Sequence, residues 1–379
     1  MERVIVLGHD HTNTLGVIQA MGLDGYYVIA CVWGKKTGLV ASSRFTKEII
    51  TGSSPNECVD LLITRFSTNE KPIVVIPCCD DAAFALESNK EVNNTPLKSQ
   101  YACGDYSIAQ ISDKSLQVKL AKDCGFNVPY TQIIEDNRQI PEEVPFPCLI
   151  KPMISSKGSK AEIQVCYSRE ELIDKMSLIR SSSPLLLQQY IEKQSDKLVY
   201  GCALTNGKCI IPSIITKTKL YPKKTGLGMI NNIETLCDDE KRRQIESLVS
   251  KIGYVGLFSI EYSTSDTDSK DYFIEINLRN DGTNAVYYKA GVNLPAIHSR
   301  DLCGESLPVC ISVRNLSVIF EMNYVKSVIA KESSIVDLIS DWRKADTTKL
   351  YYREDKKPFL KQFTNILWQR LFGYRYYKK

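Results

Sequence analysis

The segment from Phe273 to Arg279 places polar side chains at every second position among apolar ones. Apolar β-forming residues surround it, which predicts a strand, and side chains on a strand alternate between its two faces. Glu275, Asn277 and Arg279 should therefore project from one face. Carboxylate and amide oxygens are ligands that Mg²⁺ accepts, and a fixed guanidinium suits a phosphate or an acyl phosphate. The opposite face should pack into a core through Ile274, Ile276 and Leu278.

A second carboxylate, Glu261, ends an earlier apolar run that begins at Tyr254. The polar residues 263–271 between the two runs predict a turn, so we expect the runs to pair as a β-hairpin. Glu261 and Glu275 would then face each other on neighbouring strands, where like charges repel unless a cation lies between them. The pattern predicts a site for Mg²⁺, or for Mn²⁺, on Glu261, Glu275 and Asn277. An exposed polar strand face is the alternative interpretation.

A short apolar strand from Pro147 to Pro152 contains Lys151 and is followed by a loop of small and basic residues. The ammonium of Lys151 would supply a fixed positive charge for the phosphates of a nucleotide. The loop can offer backbone N–H groups to phosphate oxygens. Its candidate residues are Ser156, Gly158 and Ser159. The Gly-x-x-x-x-Gly-Lys-Ser/Thr order of a P-loop is absent, and a solvated hairpin is the alternative interpretation.

The bulk composition is that of an ordinary globular protein. With 379 residues the chain should form two or three lobes, and a hydrophobic content of 43% is sufficient for full cores. A net charge of +4 does not argue for nucleic acid as a partner. The 13 cysteines lack metal-ligand spacing, and the sequence shows no signal peptide or membrane-spanning stretch, so we expect reduced thiols and a cytoplasmic protein. A homodimer is the default expectation for the oligomeric state.

Residues 1–100 alternate short apolar runs with helical segments. Near-continuous apolar strands separated by helices predict a parallel sheet that is covered on both faces. The turn over residues 8–12 lacks the Gly-x-Gly-x-x-Gly order, so a dinucleotide-binding domain is unsupported. His9 and His11 in this turn could be metal ligands, although no third ligand is identifiable. A polar turn that faces the substrate and a purely structural turn are the alternatives.

Together these motifs resemble the metal-binding end of the ATP-grasp superfamily, whose late strands carry a Glu and then Glu-x-Asn, with an Arg two residues on. The separation of Glu261 from Glu275 is similar to that in the domains of carbamoyl-phosphate synthase large subunits. The passage from Asp113 to Gly125 resembles the start of the nucleotide-binding part, which implies that Lys114 lies on the phosphate or adenine side. The resemblance implies an α/β protein with an ATP-grasp fold, α+β in the ATP lobes, and an N-terminal parallel-sheet domain.

The resemblance also implies where adenine and ribose bind. ATP-grasp folds place adenine in the cleft between two lobes, which corresponds here to the end of the strand at Gln189, Tyr190 and Ile191. Backbone groups of Gln189 and Ile191 would contact the base, and Asp196 would accept hydrogen bonds from the ribose. Many relatives carry Glu where Gln188 stands, although an amide oxygen can still accept a hydrogen bond. An ordinary buried strand is the alternative for the side chains of Tyr190 and Ile191.

Two further segments are candidates for substrate contacts. The lysine- and glycine-rich residues 216–229, which include Lys217, predict either a mobile loop that closes over an anionic ligand or a solvated charge run. After Arg279 comes a turn where ATP-grasp relatives position the acyl phosphate or the acceptor. The candidate residues of that turn are Asn280, Gly282 and Thr283.

We expect four segments: an N-terminal α/β domain over residues 1–110, a first ATP-grasp lobe over 111–190, a second lobe with the metal site over 191–305, and a C-terminal extension over 306–379. From Lys356 onward the chain contains Lys, Arg and aromatic residues but no acids. This tail predicts either a weak contact with an anionic membrane or polyanion, or a docked helix whose basic residues face solvent.

The resemblance implies an ATP-dependent carboxylate–amine ligase, similar to carbamoyl-phosphate synthases and D-aspartate-ligase-like proteins. A small-molecule carboxylate would attack the γ-phosphate of ATP to give an acyl phosphate, and an amine would displace the phosphate. Lys151 and Arg279 would be catalytic, with ATP and Mg²⁺ as cofactors, and no biotin-attachment signal is present. An enzyme that phosphorylates another acceptor or transfers a carbamoyl or carboxyl group, and a regulatory protein that binds nucleotide without turnover, are the alternatives.

Overall fold

The N-terminal domain is built on a parallel sheet. A computed structural model of the chain describes residues 2–34, 38–134, 140–152, 164–178, 184–222 and 226–372. The strands of the domain are β1 (Arg3–His9), β2 (Tyr27–Trp33), β3 (Thr46–Gly52), β4 (Ile73–Pro77) and β5 (Leu97–Lys98). They pair in the order β3-β2-β1-β4-β5, all parallel. The helices between them are α1 (Thr12–Leu23), α2 (Pro55–Phe66) and α3 (Asp80–Ser88), with short 3₁₀ helices at Val40–Ser42 and Lys90–Asn94.

Alternate residues of β1 enter two separate cores, because helices cover both faces of the sheet. Val4 and Val6 belong to the core that contains residues of α1, whereas Ile5 and Leu7 belong to the core that contains residues of α2. All four side chains are fully buried. The predicted parallel sheet with two covered faces is confirmed, and its central strand ends at the turn that carries His9.

The first lobe is a small antiparallel sheet behind a helical connection. The connection consists of β6 (Tyr101–Ala102), α4 (Ile108–Ile111) and α5 (Lys114–Asp123). The sheet consists of β7 (Thr131–Ile134), β8 (Cys148–Pro152), β9 (Gln164–Cys166) and β10 (Leu185–Gln189), with α6 (Arg169–Leu178) beside it. The strands pair in the order β7-β10-β8-β9. The lobe has a core of its own, which contains Ile150 and Leu187.

The second lobe contains the largest sheet. Its strands are β11 (Lys193–Ala203), β12 (Cys209–Ile210), β13 (Ser213–Tyr221), β14 (Leu227–Thr235), β15 (Tyr254–Ser265), β16 (Asp271–Asn277), β17 (Leu316–Ile319) and β18 (Thr347–Thr348). They pair in the order β16-β15-β11-β13-β14-β17-β18, with β12 beside β11 and β6 beside β15. The helices are α7 (Asp239–Ile252), α8 (Asn284–Lys289), α9 (Leu294–Leu302), α10 (Glu321–Ile329), α11 (Ile335–Lys344) and α12 (Lys356–Phe372).

The C-terminal segment completes the second lobe rather than standing apart from it, since β17 and β18 both lie beyond residue 305 and extend the large sheet. α12 docks through Phe359, Phe363 and Ile366, which pack against a core that also contains Met322 and Leu350. Contact of the tail with an anionic surface stays a prediction, as do the limits of the four segments. Among the described residues, no helix has the length and apolarity needed to cross a membrane.

The lysine- and glycine-rich segment was expected to be a loop, and this expectation is wrong for most of its length. Residues 213–221 and 227–235 form the two paired strands β13 and β14, and only residues 222–226 connect them. Ile215 and Ile233 anchor the two strands in the main core. Lys217 Nζ lies 3.6 Å from Glu261 Oε2 on β15, which is separated from β13 by β11 in the sheet. The side chains are therefore held in place by the sheet, which a sequence rich in lysine does not reveal.

A buried carboxylate fastens the C-terminal segment to the N-terminal domain. Asp355 is 2% exposed and accepts hydrogen bonds from Gln19 Nε2 at 3.1 Å, Ser43 Oγ at 2.6 Å and the backbone N–H of Arg44 at 3.0 Å. Removing an acceptor leaves such donors buried without a partner, which costs more than the hydrogen bonds themselves contribute.

We expect Asp355→Ala to lower the free energy of unfolding by about 1–3 kcal/mol, because the donors of Gln19, Ser43 and Arg44 lose their acceptor and the first two are buried. Urea denaturation followed by circular dichroism measures the change. Glu354→Ala is the matched control, since Glu354 is the exposed neighbour and should shift the transition little. Equal effects of the two substitutions would contradict the role assigned to Asp355.

Candidate functional site

The predicted β-hairpin is confirmed, and its two carboxylates lie opposite each other. β15 and β16 are antiparallel, with Glu261 paired to Glu275 and Ser259 paired to Asn277. The pairing shifts by one residue between Glu261 and Tyr262, so Ile274 has no partner and forms a β-bulge. Glu275 and Asn277 keep the face that the sequence predicted, and Asn277 Nδ2 lies 3.4 Å from Glu275 Oε1.

The bulge also corrects the expectation for the other face of β16. Ile276 and Leu278 are buried as predicted, but Ile274 is 36% exposed. The extra residue breaks the strict alternation, so Phe273 is fully buried in place of Ile274. A register shift of this kind depends on the neighbouring strand and is not encoded in the period of a single strand.

Each of the facing carboxylates has a lysine nearby, at a distance longer than a tight ion pair. Lys217 Nζ lies 3.6 Å from Glu261 Oε2, and Lys114 Nζ lies 3.4 Å from Glu275 Oε2. Burial raises the pKa of Glu261, and the charge of Glu275 adds to this effect while Lys217 opposes it. The negative charge is therefore only partly compensated by the chain itself.

This donor set fits a divalent cation. Two carboxylates and an amide oxygen are hard ligands of the kind that Mg²⁺ prefers, and they leave coordination positions for phosphate oxygens and water. Within the described ranges, no cluster of three or more His, Cys, Asp or Glu side chains is arranged to hold a metal. An ion bound at Glu261, Glu275 and Asn277 would therefore need ligands from a second molecule, as a metal that bridges protein and nucleotide does.

Lys151 lies in the first lobe beside Gln188 of the neighbouring strand. Lys151 Nζ donates to Gln188 Oε1 at 2.8 Å, and Gln188 Nε2 donates to Thr131 Oγ1 at 3.0 Å. Burial lowers the pKa of Lys151 to about 8, the charge of Lys114 contributes, and Glu275 opposes the shift. Lys151, Lys114 and Glu275 are thus brought close to one another from β8, α5 and β16. The two ammonium groups lie where both could bind phosphate oxygens beside Glu275.

The helix start predicted at Asp113-Lys114 is present, and it places Lys114 near Glu275. Asp113 is the N-cap of α5 and accepts hydrogen bonds from the backbone N–H groups of Ser115 and Leu116. The Asp-Lys pair is therefore both a helix cap and a means of directing Lys114 toward Glu275. The predicted phosphate-binding residues Ser156, Gly158 and Ser159 lie outside the described residues.

The predicted adenine and ribose residues lie where the first lobe passes into the second. The N–H of Gln189 donates to Tyr130 O at 2.8 Å and the N–H of Tyr190 donates to Pro147 O at 2.9 Å, so both amides are engaged within the first lobe. Ile191 follows between β10 and β11. A base contact through the N–H of Gln189 would require that hydrogen bond to open.

The predicted ribose acceptor, Asp196, is paired inside the second lobe. Its carboxylate lies 2.7 Å from Lys193 Nζ and accepts from Ser263 Oγ at 3.1 Å. A cavity of about 550 Å³ opens beside it and is lined by Tyr190, Lys193 and neighbouring residues. The assignment of Asp196 and of the adenine contacts stays a prediction.

Arg279 connects the second lobe with the N-terminal domain. Its Nε lies 3.0 Å from Asp80 Oδ1 at the start of α3, and one of its terminal nitrogens lies 3.6 Å from Asp281 Oδ2. Burial would lower the pKa of Arg279, but the carboxylates of Asp80, Asp281 and Glu275 outweigh it and raise the pKa above the ordinary value. The guanidinium is therefore held charged and fixed in orientation.

The residues after Arg279 differ in their access to a ligand. Asn280 is fully buried: its Oδ1 accepts from Tyr200 OH at 2.6 Å, and its Nδ2 donates to Asn13 Oδ1. Both ends of the amide are thus engaged, one with β11 and the other with α1, and a direct contact of Asn280 with substrate stays a prediction. Gly282 and Thr283 line a cavity, and their contact with substrate stays a prediction.

That cavity has a volume of about 390 Å³ and is walled by three parts of the chain. The N-terminal domain contributes His9, His11 and Asn13, and the second lobe contributes Lys217, Glu261, Arg279 and Asp281. The C-terminal segment contributes Glu321, Lys326, Lys349 and Gln362. Glu261, the predicted metal ligand, thus lines a pocket that is large enough for a small organic molecule.

Sequence reasoning missed Asp281 and Lys349. Asp281 fixes Arg279 and accepts from the backbone N–H and the hydroxyl of Thr283 at 2.8 and 2.7 Å. Its position two residues after Arg279 continues the spacing of Glu275, Asn277 and Arg279 and could have drawn attention to it, although the strand itself ends at Asn277. Lys349 offered no such signal, because it comes from a stretch with no motif and reaches the cavity only through the fold.

Comparisons with known proteins agree with this geometry. Residues 109–309, just over half of the chain, match the family described as carbamoyl-phosphate synthase L chain, ATP binding domain. The chain is 24% identical over 212 residues to the carbamoyl phosphate synthase large chain of Neisseria meningitidis serogroup B, a match that covers 53% of this chain and 19% of that protein. It is 28% identical over 193 residues to D-alanine–D-alanine ligase of Fervidobacterium nodosum, covering 47% and 58%. Both matches span less than two thirds of the relative's length.

Solved structures extend the likeness to nearly the whole chain. N5-carboxyaminoimidazole synthetase from Staphylococcus aureus superposes with a TM-score of 0.68 at 12% identity, covering 98% of each chain. L-amino acid ligase from Bacillus licheniformis superposes with a TM-score of 0.59 at 13% identity, covering 84% of this chain and 79% of that one. These structural likenesses establish the fold alone. Taken with the family match over residues 109–309, they show that the chain belongs to the carbamoyl-phosphate synthase L chain ATP-binding family, within the ATP-grasp superfamily.

Proposed function

We propose that the protein is an ATP-dependent carboxylate–amine ligase that forms an amide through an acyl phosphate. One observation carries the proposal: Glu261, which faces Glu275 across the hairpin, also lines the 390 Å³ cavity that contains Arg279. The candidate metal–nucleotide site and a pocket for a small molecule therefore share a wall. A carboxylate bound in the cavity would lie next to the γ-phosphate of a nucleotide bound between the lobes.

The charged side chains of the site are suited to the first step, in which the γ-phosphoryl group of ATP is transferred to the carboxylate. Lys114 and Lys151 would hold the phosphates of ATP, and Arg279 would hold the substrate carboxylate and the phosphoryl group as it transfers. Mg²⁺ on Glu261, Glu275 and Asn277 would neutralise phosphate oxygens and polarise the γ-phosphoryl group. A carboxylate oxygen forms a bond to the γ-phosphorus as the bond to the ADP oxygen breaks, which gives an acyl phosphate and ADP.

The second step would use the same cavity. The amine nitrogen attacks the acyl carbon, the bond from that carbon to the phosphate oxygen breaks, and the nitrogen loses a proton. Asp80 and Asp281 keep Arg279 in one orientation, so the guanidinium can stay on the phosphoryl oxygens through both steps. No covalent protein nucleophile is required. The partners would be a small-molecule carboxylate and an amine, while a homodimer and a cytoplasmic location stay predictions.

The ATP site predicts a pattern of ligand-induced stabilisation. At about 100 times its dissociation constant, Mg·ATP should add about 2.7 kcal/mol of stability to the wild type and raise its melting temperature by several degrees. Lys151→Ala and Glu275→Ala should lose most of this shift in differential scanning fluorimetry. Lys175→Ala and Ile274→Ala are controls on the same lobes that should keep it. A wild type that shows no shift at millimolar nucleotide would contradict the ATP site.

The lowered pKa of Lys151 predicts a pH dependence. Below a pH of about 8 the side chain is protonated and attracts the triphosphate, whereas above it the neutral amine does not. The dissociation constant for ATP should therefore rise as the pH increases through about 8, by up to about tenfold per pH unit. Isothermal titration calorimetry between pH 7 and 9 measures it. Lys151→Arg should flatten the rise, because arginine stays charged; an equally steep rise in that variant would assign the titration to another group.

The acyl phosphate can be trapped chemically. With ATP, Mg²⁺ and a panel of small carboxylic acids, added hydroxylamine should give a hydroxamate together with one ADP for each hydroxamate formed. Arg279→Ala should reduce hydroxamate formation by about 100-fold or more, since removal of a single fixed donor at a developing charge has effects of this size. ADP release that requires bicarbonate and gives no hydroxamate would point to a carboxylating enzyme instead. Absence of ADP release with every acid would favour a nucleotide-binding protein without turnover.

A further inference from the structure

One ammonium group in the cavity has no direct anionic partner. Lys349 follows β18 and lines the cavity, and its Nζ lies 4.5 Å from the centroid of the Phe320 ring. Among the described residues, no acceptor lies within hydrogen-bonding or ion-pair distance of this ammonium. Burial lowers the pKa of Lys349, although the charges of Asp281 and Glu321 oppose the shift. A partly buried cation with no anionic partner favours an anion in the cavity that compensates its charge.

The two carboxylates near Lys349 are already engaged. Asp281 is paired with Arg279 and accepts two hydrogen bonds from Thr283. Glu321 is 1% exposed, and its oxygens accept from the backbone N–H groups of Lys349, Leu350 and Tyr351 at 2.9 to 3.1 Å. Glu321 thus fixes the backbone that carries Lys349 but does not neutralise its ammonium directly.

Further basic groups lie beside it. His11 and Lys326 also line the cavity, and the pKa of His11 is lowered by burial and then by the charges of Lys349, His9 and Lys326. His11 Nδ1 accepts the backbone N–H of Asn13 at 3.3 Å, so in the neutral ring the proton is on Nε2, which can donate. We refer to Lys349, Lys326 and His11 as the basic wall.

We propose that the basic wall binds a second anionic group of the carboxylate substrate, so that the substrates are small acids with a further carboxylate or phosphate. The inference rests on the proposed ligase function for the role of the first carboxylate, which would lie at Arg279. The second anion would accept charge-assisted hydrogen bonds from Lys349 and Lys326 and from His11 Nε2. The C-terminal segment would then select the substrate, since two of the three groups come from it.

Two pairs of probe acids test the inference, and the members of each pair differ only in the second anion. Succinate and butyrate form the dicarboxylate pair, and 3-phosphoglycerate and glycerate form the phosphorylated pair. Isothermal titration calorimetry on the full chain with ADP and Mg²⁺ measures each affinity. We expect the dianion of at least one pair to bind at least about tenfold more tightly, in line with charge-assisted hydrogen bonds. The pair that shows the preference identifies the chemistry of the second group.

Variants assign the preference to the basic wall. Lys349→Met should abolish it while the affinity for ADP stays unchanged, and Lys349→Arg should restore part of it. Lys357→Met is the matched control, because Lys357 is exposed on α12 and lies outside the cavity. If Lys349→Met does not fold, Lys326→Met replaces it, with a smaller loss expected because Lys326 is more exposed.

The outcomes separate this inference from the proposed function. If neither pair shows a preference, or if the preference survives in both Lys349→Met and Lys326→Met, the inference is wrong even when ADP release confirms a ligase. If the preference is present and depends on Lys349 but no acid supports ADP release, the anion site stands and the ligase proposal fails.

Discussion

Two carboxylates face each other across paired strands and repel each other. The rest of the site depends on how their negative charge is compensated. The register of β15 and β16 holds the Cα atoms of Glu261 and Glu275 opposite each other. Lys114 and Lys217 approach them at more than 3 Å and balance the charge only in part. A divalent cation with its nucleotide would complete the compensation, which explains why acids and lysines from four elements converge at this point.

Buried polar and charged side chains also hold the separate parts of the chain together. The turn after Arg279 is fastened to α1 through the hydrogen bond of Asn280 with Asn13 and to β11 through its hydrogen bond with Tyr200. Asp355 fastens the start of α12 to the N-terminal domain. Buried polar groups of this kind stabilise only when all of their partners are present. They therefore fix the relative positions of the N-terminal domain, the second lobe and the C-terminal segment, between which the cavity lies.

The groups proposed to bind ATP and several of the groups that line the cavity come from different parts of the chain. The groups proposed to hold ATP and metal come from α5, β8, β15 and β16, which all lie within the family match over residues 109–309. His9, His11, Lys326 and Lys349 come from outside that range. A chain can thus keep the reacting centre unchanged while the flanking segments alter the pocket. Substrate identity should be sought in those flanking segments.

The structural features that the sequence predicted are those whose signal lies within a short stretch of the chain. The alternation of Glu275, Asn277 and Arg279, the apolar run that ends at Glu261 and the capped start of α5 are periodic or adjacent features, so they predicted the hairpin, the facing carboxylates and the helix start at Asp113. The exposure of Ile274 could not be predicted, because a bulge arises from the pairing of two strands. The engagement of Asn280 with Asn13 and Tyr200 joins residues distant in sequence.

The amino-acid sequence by itself determined the parallel N-terminal sheet, the β15–β16 hairpin and the residue types of the carboxylate–lysine set, since these follow from side-chain period and residue type. Only the tertiary structure decided which lysines are free to bind a ligand. Lys217 and Lys219 look alike in sequence, yet Lys219 is paired with Asp341 at 2.8 Å whereas Lys217 lines the cavity beside Glu261. Lys349 lies in the cavity because β18 completes a sheet whose strand β11 begins at Lys193, about 150 residues earlier. Contacts between residues far apart in the chain decide which charged groups are paired with each other and which remain available to a ligand. No local sequence pattern predicts those contacts.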